Sequence, residues 1–230
     1  MLNESGDEKK NSSWLGDREN REDRDEVLIS LDAIYQAGPN AQRTASAVKD
    51  LQAKMMDIRS KFLYYGAMEN SPIGPIFIAI GDQGLVAIDI GVTEEDFTSR
   101  LKSRAGTVVI HSRENVAGVV EQLREYFDGE RSTFKLNLDL VNLTEFQRQV
   151  LLATLKIPRG QITTYGEMAR RLGKAQWARA VGQALARNPI PIVIPCHRVL
   201  AADGSLHGYS GGKGIETKAQ LLQLEGVLQV

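Results

Sequence analysis

Cys196 is the only cysteine among 230 residues, and His197 follows it directly, in the run IPCHRVLAADGSLHGYSGG over 194–212. A thiol attacks carbon as its thiolate, and an imidazole is a common base for its proton. The pair therefore points to nucleophilic chemistry. It is equally compatible with a small buried cysteine packing beside an unrelated histidine. Neighbouring side chains of an extended segment point to opposite sides, so direct contact between the two is not expected and a bridging water is the simpler geometry. A single cysteine excludes an internal disulfide. With His111, His197 and His207 it makes no cluster of zinc-ligand spacing, so no metal site and no cofactor are expected.

The chain is long enough for one large domain or two small ones. Hydrophobic residues at 42% and charged residues at 25% are those of an ordinary globular protein. No apolar run approaches the ~20 residues of a membrane helix, so no membrane association is expected. The opening MLNESGDEKKNSS lacks the apolar core of a secretory signal. A cytoplasmic, nucleoid-associated location is expected. The net charge of −1 conceals a gradient: residues 1–26 hold nine acids and five bases, whereas 145–230 hold five acids and eleven bases. A basic C-terminal third fits a polyanionic partner, and a solvated charged face is the plainer alternative.

The elements that must position the thiol follow from patterning. Residues 1–26 are polar and densely charged, and read as a disordered tail. Val48, Leu51, Met55, Ile58 and Phe62 recur at helical spacing, so 27–62 reads as a helical extension. From residue 63 the pattern changes to β-rich runs broken by SPIG and GDQG. These predict strands near 63–68, 75–80 and 84–90, joined as antiparallel hairpins. A helix at 93–104, a strand near 107–110, a helix at 114–127 and a strand in STFKLNLDL (132–140) complete a small α+β domain over 63–143, which carries no obvious chemistry. From Thr144 the chain turns mostly helical. Thr144 caps a helix that Pro158 ends, TTYGEMARRLG forms a second, and 175–187 a third. The last two, joined at Gly173, predict a helix-turn-helix ahead of an active-site loop. The fold class is thus α+β, an N-terminal domain with an antiparallel sheet followed by a helical domain over 144–230.

NPIPIVIPCHRV, the downstream GYSGG and the upstream TYGEMA…ARAVGQALARNP together resemble the methylated-DNA–protein-cysteine methyltransferases, the O6-alkylguanine-DNA alkyltransferase family. The resemblance runs from about residue 62 to the C-terminus and is most specific over 161–212. It implies a monomer that binds double-stranded DNA carrying O6-alkylguanine. The damaged nucleotide is extruded from the stack, and its alkyl group passes once and permanently to a cysteine sulfur. Cys196 matches the acceptor, His197 the base acting through water, and Glu225 the acid that orients the histidine, although the GGKGIETK loop before Glu225 is slightly longer than usual. The helix 175–187 matches the minor-groove recognition helix, with Ala178, Gly182 and Ala186 as a narrow ridge.

On that helix Arg179 matches the finger that fills the gap left by the extruded base. Tyr165 matches the tyrosine that crowds the target's 3′ phosphate, and Asn188 the residue tying the helix to the active-site segment. Tyr209 and Ser210 match the wall of the guanine site, with the serine placed to bond O6. The carbonyls of Cys196 and Val199 match acceptors for the exocyclic amine. Arg198 is expected to pair internally. Two departures stand out. Trp177 sits where smaller or polar residues are usual, and the cysteine count excludes the zinc site of some members. Two other classes remain open: a lesion-binding DNA module without transfer, and a hydrolase using Cys196 and His197.

Overall fold

The structure, a computed structural model, describes residues 41–103 and 107–228. The expected disordered tail and the first part of the helical extension lie outside the described residues. The chain separates into two units, Met1–Arg59 and Ser60–Val230. The described element of the first is helix α1 (Ala41–Ser60), on which Val48 and Met55 are exposed. The helical stripe was expected to run on to Phe62. Instead α1 stops at Ser60 and Phe62 opens strand β1 (Phe62–Met68), where pairing with two neighbouring strands outweighs helical spacing.

In the second unit, β1 lies between β2 (Ile76–Gly81), antiparallel to it, and β4 (Val108–His111), parallel to it. Strand β3 (Gly84–Ile90) pairs antiparallel with β2, giving the order β3-β2-β1-β4. The hairpins are as expected, but β4 makes the sheet mixed. Side chains alternate between its faces. Ile76, Ile78, Ile88 and Ile90 pack with Val116, Val119 and Leu123 of helix α3 (Arg113–Phe127) in the main core. Leu63, Phe77 and Ala79 pack with Phe97 and Leu101 of helix α2 (Glu94–Lys102) in a smaller one. Thr93 and Ser112 cap these helices by accepting from Asp96 N and Asn115 N.

The strand expected at 132–140 does not form. Phe134, Leu136, Leu138 and Leu140 do pack on the core, but the segment joins β3 only through Leu85, which donates to Asn137 O and accepts from Asp139 N, each at 2.9 Å. Farther along, Ile88 N donates instead to Pro189 O at 2.9 Å. Two segments thus share one sheet edge and neither extends a ladder. Gly84 permits the first approach: its φ is +127°, and a Cβ there would stand 2.3 Å from Asn137 O.

The C-terminal half carries helices α4 (Glu145–Thr154), α5 (Tyr165–Arg171), α6 (Ala178–Ala186) and α7 (Ile215–Leu224). Thr144 and Thr164 cap the first two, accepting from Gln147 N and Glu167 N. A two-stranded parallel sheet, β5 (Thr163–Thr164) on β6 (Val199–Leu200), was not anticipated. Helix α6 starts three residues later than expected. Lys174 to Trp177 close a turn after left-handed Gly173, with Trp177 N donating to Lys174 O at 2.8 Å. Trp177 is the N-cap residue, so Arg179 stands in the first turn of α6. Among the described residues no helix is long and apolar enough to cross a membrane.

Candidate active site

Every residue from Ile190 to Leu200 is buried, and Asn188 organises the run's entry. Its Oδ1 accepts from Ile190 N at 3.0 Å, while Nδ2 donates to Ile194 O at 2.8 Å and lies 3.2 Å from Cys196 Sγ. The turn forces Ile192 to φ +72° with its side chain fully buried. A β-branched residue there is strained by about 1–3 kcal/mol. Cys196–Arg198 is then a single turn of 3₁₀ helix. The extended segment assumed from sequence is therefore corrected: the chain turns at Ile192 and Val193 and again after Pro195, whose O accepts from Arg198 N at 3.0 Å. No hydrogen bond joins the sulfur to the imidazole.

His197 is fully buried, and its Nε2 meets Glu225 Oε1 at 2.9 Å. A carboxylate accepts only, so Nε2 carries the hydrogen and Nδ1 is left as the lone-pair nitrogen. Nδ1 is also a buried atom without a partner among the described residues. Glu225 is the residue after α7, and it gathers donors from distant parts of the chain. Arg198 Nε reaches Oε2 at 2.9 Å and Nη2 reaches Oε1 at 2.7 Å. Tyr126 Oη donates to Oε1 at 2.7 Å, and Gly160 N lies 3.5 Å from Oε2. Arg198, 4% exposed, pairs internally as expected.

Burial pushes the Cys196 thiol up, against the hydrogen bond from Asn188 and the positive charge of Lys218. Burial also depresses the His197 imidazole, with Glu225 opposing. For Glu225 burial works upward, but the hydrogen bonds from His197 and Arg198 prevail and hold the carboxyl well below its ordinary range. The resting site is thus a neutral thiol, a neutral imidazole and an ionised carboxylate. Such an arrangement can accept a proton from the thiol as it reacts.

The remaining expected residues divide between the surroundings of the sulfur and the surface. Tyr165 opens α5 and donates its hydroxyl to His207 O at 3.0 Å, pinning the loop after β6. Tyr209 keeps its hydroxyl buried, with no hydrogen-bond partner among the described residues. The charge of a Cys196 thiolate raises the pKa of both tyrosines, after burial. Val199 O accepts from Lys218 Nζ at 2.7 Å, so the carbonyl matched to the exocyclic amine already holds an ammonium. Exposed Ser210 donates to Ala186 O at 3.0 Å, linking the loop to the end of α6. Arg179 is exposed on α6 and has no ion-pair partner among the described residues. Trp177, 47% exposed, packs edge-on to Phe146 with ring centroids 5.3 Å apart, and Lys174 Nζ lies 4.3 Å over its ring.

Sequence reading missed three participants. Lys218 is 1% exposed, its Nζ also bonds His207 O at 3.1 Å, and burial pulls its pKa down to about 8. Its place beside Thr217, Leu221 and Leu222 on the buried stripe of α7 is the signal that marks it. Tyr126 reads as a core aromatic of LREYF, and nothing in that stretch points to a residue 99 positions away. Arg159 donates to Tyr126 O at 2.9 Å and to Leu224 O at 3.1 Å, and its guanidinium lies 4.7 Å over the Tyr126 ring.

Two family descriptions match the chain: the ribonuclease-like domain of 6-O-methylguanine DNA methyltransferase over residues 63–140, and its DNA-binding domain over 145–227. The methylated-DNA–protein-cysteine methyltransferase of Mycobacterium leprae is 42% identical over 156 residues, covering 68% of this chain and 88% of its own. The protein of the same name from Methanosarcina acetivorans is 39% identical over 164 residues, covering 71% and 99%. Among solved structures, the Mycobacterium tuberculosis O6-methylguanine methyltransferase is similar with a TM-score of 0.61 at 39% identity, over 71% of this chain and 92% of that one. A crystal structure of M. tuberculosis OGT in complex with DNA matches with a TM-score of 0.59 at 40% identity, over 70% and 92%.

Proposed function

Because this chain belongs to the 6-O-methylguanine DNA methyltransferase family, we propose that it repairs DNA directly, moving the alkyl group from O6 of guanine to Cys196. The observation that carries the reading is the His197–Glu225 contact at 2.9 Å, which leaves imidazole Nδ1 as the acceptor next in sequence to the lone thiol. In this reading residues 63–143 form the N-terminal domain and 144–230 the DNA-binding methyltransferase domain.

The step balances without a cofactor. The thiol proton passes through one water to Nδ1, and the imidazolium is stabilised by Glu225. The sulfur lone pair forms the S–C bond as the C–O6 bond breaks, and the proton is returned to the departing guanine. The product is a thioether, which no group in the site can hydrolyse, so each molecule acts once. Asn188 Nδ2, 3.2 Å from the sulfur, and the positive charge of Lys218 favour its anion.

The lesion reaches the thiol only after extrusion. Helix α6 enters the minor groove, Arg179 occupies the gap in the stack, and Tyr165 crowds the backbone of the extruded nucleotide. Tyr209, Ser210 and the carbonyls of Cys196 and Val199 hold the base. The protein acts as a monomer on the DNA of the nucleoid. Incubation with duplex carrying labelled O6-methylguanine tests the assignment. Label bound to protein in a one-to-one ratio supports it. Retention of the duplex with no label transferred means a lesion-binding module. Indifference to the duplex with turnover of a small ester means a hydrolase.

A further inference from the structure

We infer that Tyr126 is a positioning residue for the alkyl transfer, supplied by the half of the chain that precedes the cysteine-bearing domain. The inference rests on the alkyl-transfer reading given above. Tyr126 is fully buried on α3, among Val119, Leu123 and Phe127, where a phenylalanine would fill the same space. A hydroxyl in such a place costs stability unless it is bonded. Among the described residues the one bond it makes is to Glu225 Oε1 at 2.7 Å, the same oxygen that receives His197 Nε2 at 2.9 Å.

Three donors therefore share Oε1: Tyr126 Oη, His197 Nε2 and Arg198 Nη2. Each draws on the same negative charge. The tyrosine hydroxyl lowers the pull of the carboxylate on the imidazole proton, so His197 stays a neutral donor at Nε2 with Nδ1 free to accept. It also fixes Oε1 from a second element of the fold, since Tyr126 stands on α3 and Arg198 on the 3₁₀ turn. Burial and the neighbouring carboxylate hold the Tyr126 phenol far above its ordinary range, so it remains a donor at any working pH. Arg159 locks the tyrosine in turn: it binds Tyr126 O and Leu224 O, one residue before Glu225.

The charged and titratable groups facing this pair are few. Arg198 comes from the 3₁₀ turn, Lys218 from α7, Arg159 from the segment after α4, Tyr209 from the loop before α7, and Tyr126 from α3; Gly160 N adds a backbone donor. With Tyr126→Phe the carboxylate pulls harder on His197. The imidazole then gains its proton at higher pH, and the protonated form cannot act as the base.

The test compares wild type with Tyr126→Phe in two measurements on the full chain. In single-turnover transfer from O6-methylguanine duplex at saturating protein, the variant is expected to react about tenfold more slowly at pH values below its shifted limb, where its imidazole is already protonated and the wild-type one is not. Its duplex Kd should be unchanged, and the acid limb of its rate profile should move to higher pH. In NMR titration of the three histidines, with His197 identified by comparison with His111→Asn and His207→Asn, the His197 resonance should titrate at higher pH in the variant. A folded variant with the wild-type rate, limb and His197 titration overturns the inference. If wild type transfers no label, the functional reading fails instead, and the NMR titration still decides whether Tyr126 governs His197. A lower Tm with neither pH shift means a packing role only and also overturns it.

Discussion

Asn188 Nδ2 lies 2.8 Å from Ile194 O and 3.2 Å from Cys196 Sγ, so a single amide ties the segment just after α6 to the sulfur. A hydrogen bond to a charged acceptor is worth roughly 1.5–3 kcal/mol, more than the same bond to a neutral one. Asn188→Ala should therefore slow transfer by about tenfold or more, since the bond strengthens as the thiolate forms. A rate constant at saturating protein measures this directly. An unaltered rate in a folded variant contradicts the role.

The buried His197–Glu225–Arg198 group makes stability depend on acid in a defined way. Both His197 and Glu225 have folded-state pKa values below their ordinary 6.5 and 4.5. The unfolded chain therefore takes up protons first, and stability falls as pH drops below about 6.5 and again below about 4.5. Urea midpoints between pH 8 and 4 should decline in that order. Glu225→Gln should lose about 3–5 kcal/mol at neutral pH, because it leaves Arg198 buried and uncompensated. A flat profile, or a tolerant Gln variant, speaks against the network.

Arg179 is exposed in the first turn of α6 and has no ion-pair partner among the described residues, which is compatible with the proposed finger role. Arg179→Ala should reduce transfer from duplex far more than reaction with free O6-benzylguanine, which needs no extrusion. Equal losses on both substrates contradict the finger. Duplex affinity should also fall as salt rises, since phosphate contacts displace counterions.

The strain at Ile192 gives a test of the backbone that carries the cysteine. At ordinary positions alanine is more stable than glycine by roughly 0.5–1 kcal/mol. At φ +72° the order should reverse, with Ile192→Gly keeping a higher urea midpoint than Ile192→Ala. Both variants should fall below wild type by about 2–5 kcal/mol for the lost buried side chain. A more stable alanine variant would show that the turn relaxes.

The sequence made some of these features readable and concealed others, for identifiable reasons. Local signals worked: Thr144 sits as the helix cap that the sequence indicates, and the two hairpins follow their turn residues. Competition for a shared partner did not show. Residues 132–140 alternate like a strand, yet β3 divides its free edge between this segment and Pro189. Helix α6 loses its first three expected residues to the Lys174–Trp177 turn, which helical periodicity does not detect. At the site, Cys196, His197 and Glu225 are identifiable by type and motif. Tyr126 and Lys218 are not, because a buried tyrosine and a lysine on an apolar stripe acquire their meaning only from what lies across the core.

The central claim is that Cys196 receives one alkyl group and keeps it. Mass spectrometry of the protein after reaction with O6-methylguanine duplex tests this most directly. The account predicts a single added methyl in place of the thiol proton, located on the peptide containing Cys196, with no second round when fresh duplex is supplied and none at all in Cys196→Ala. A methyl on any other residue, or protein that goes on consuming lesions while its own mass stays unchanged, would contradict it.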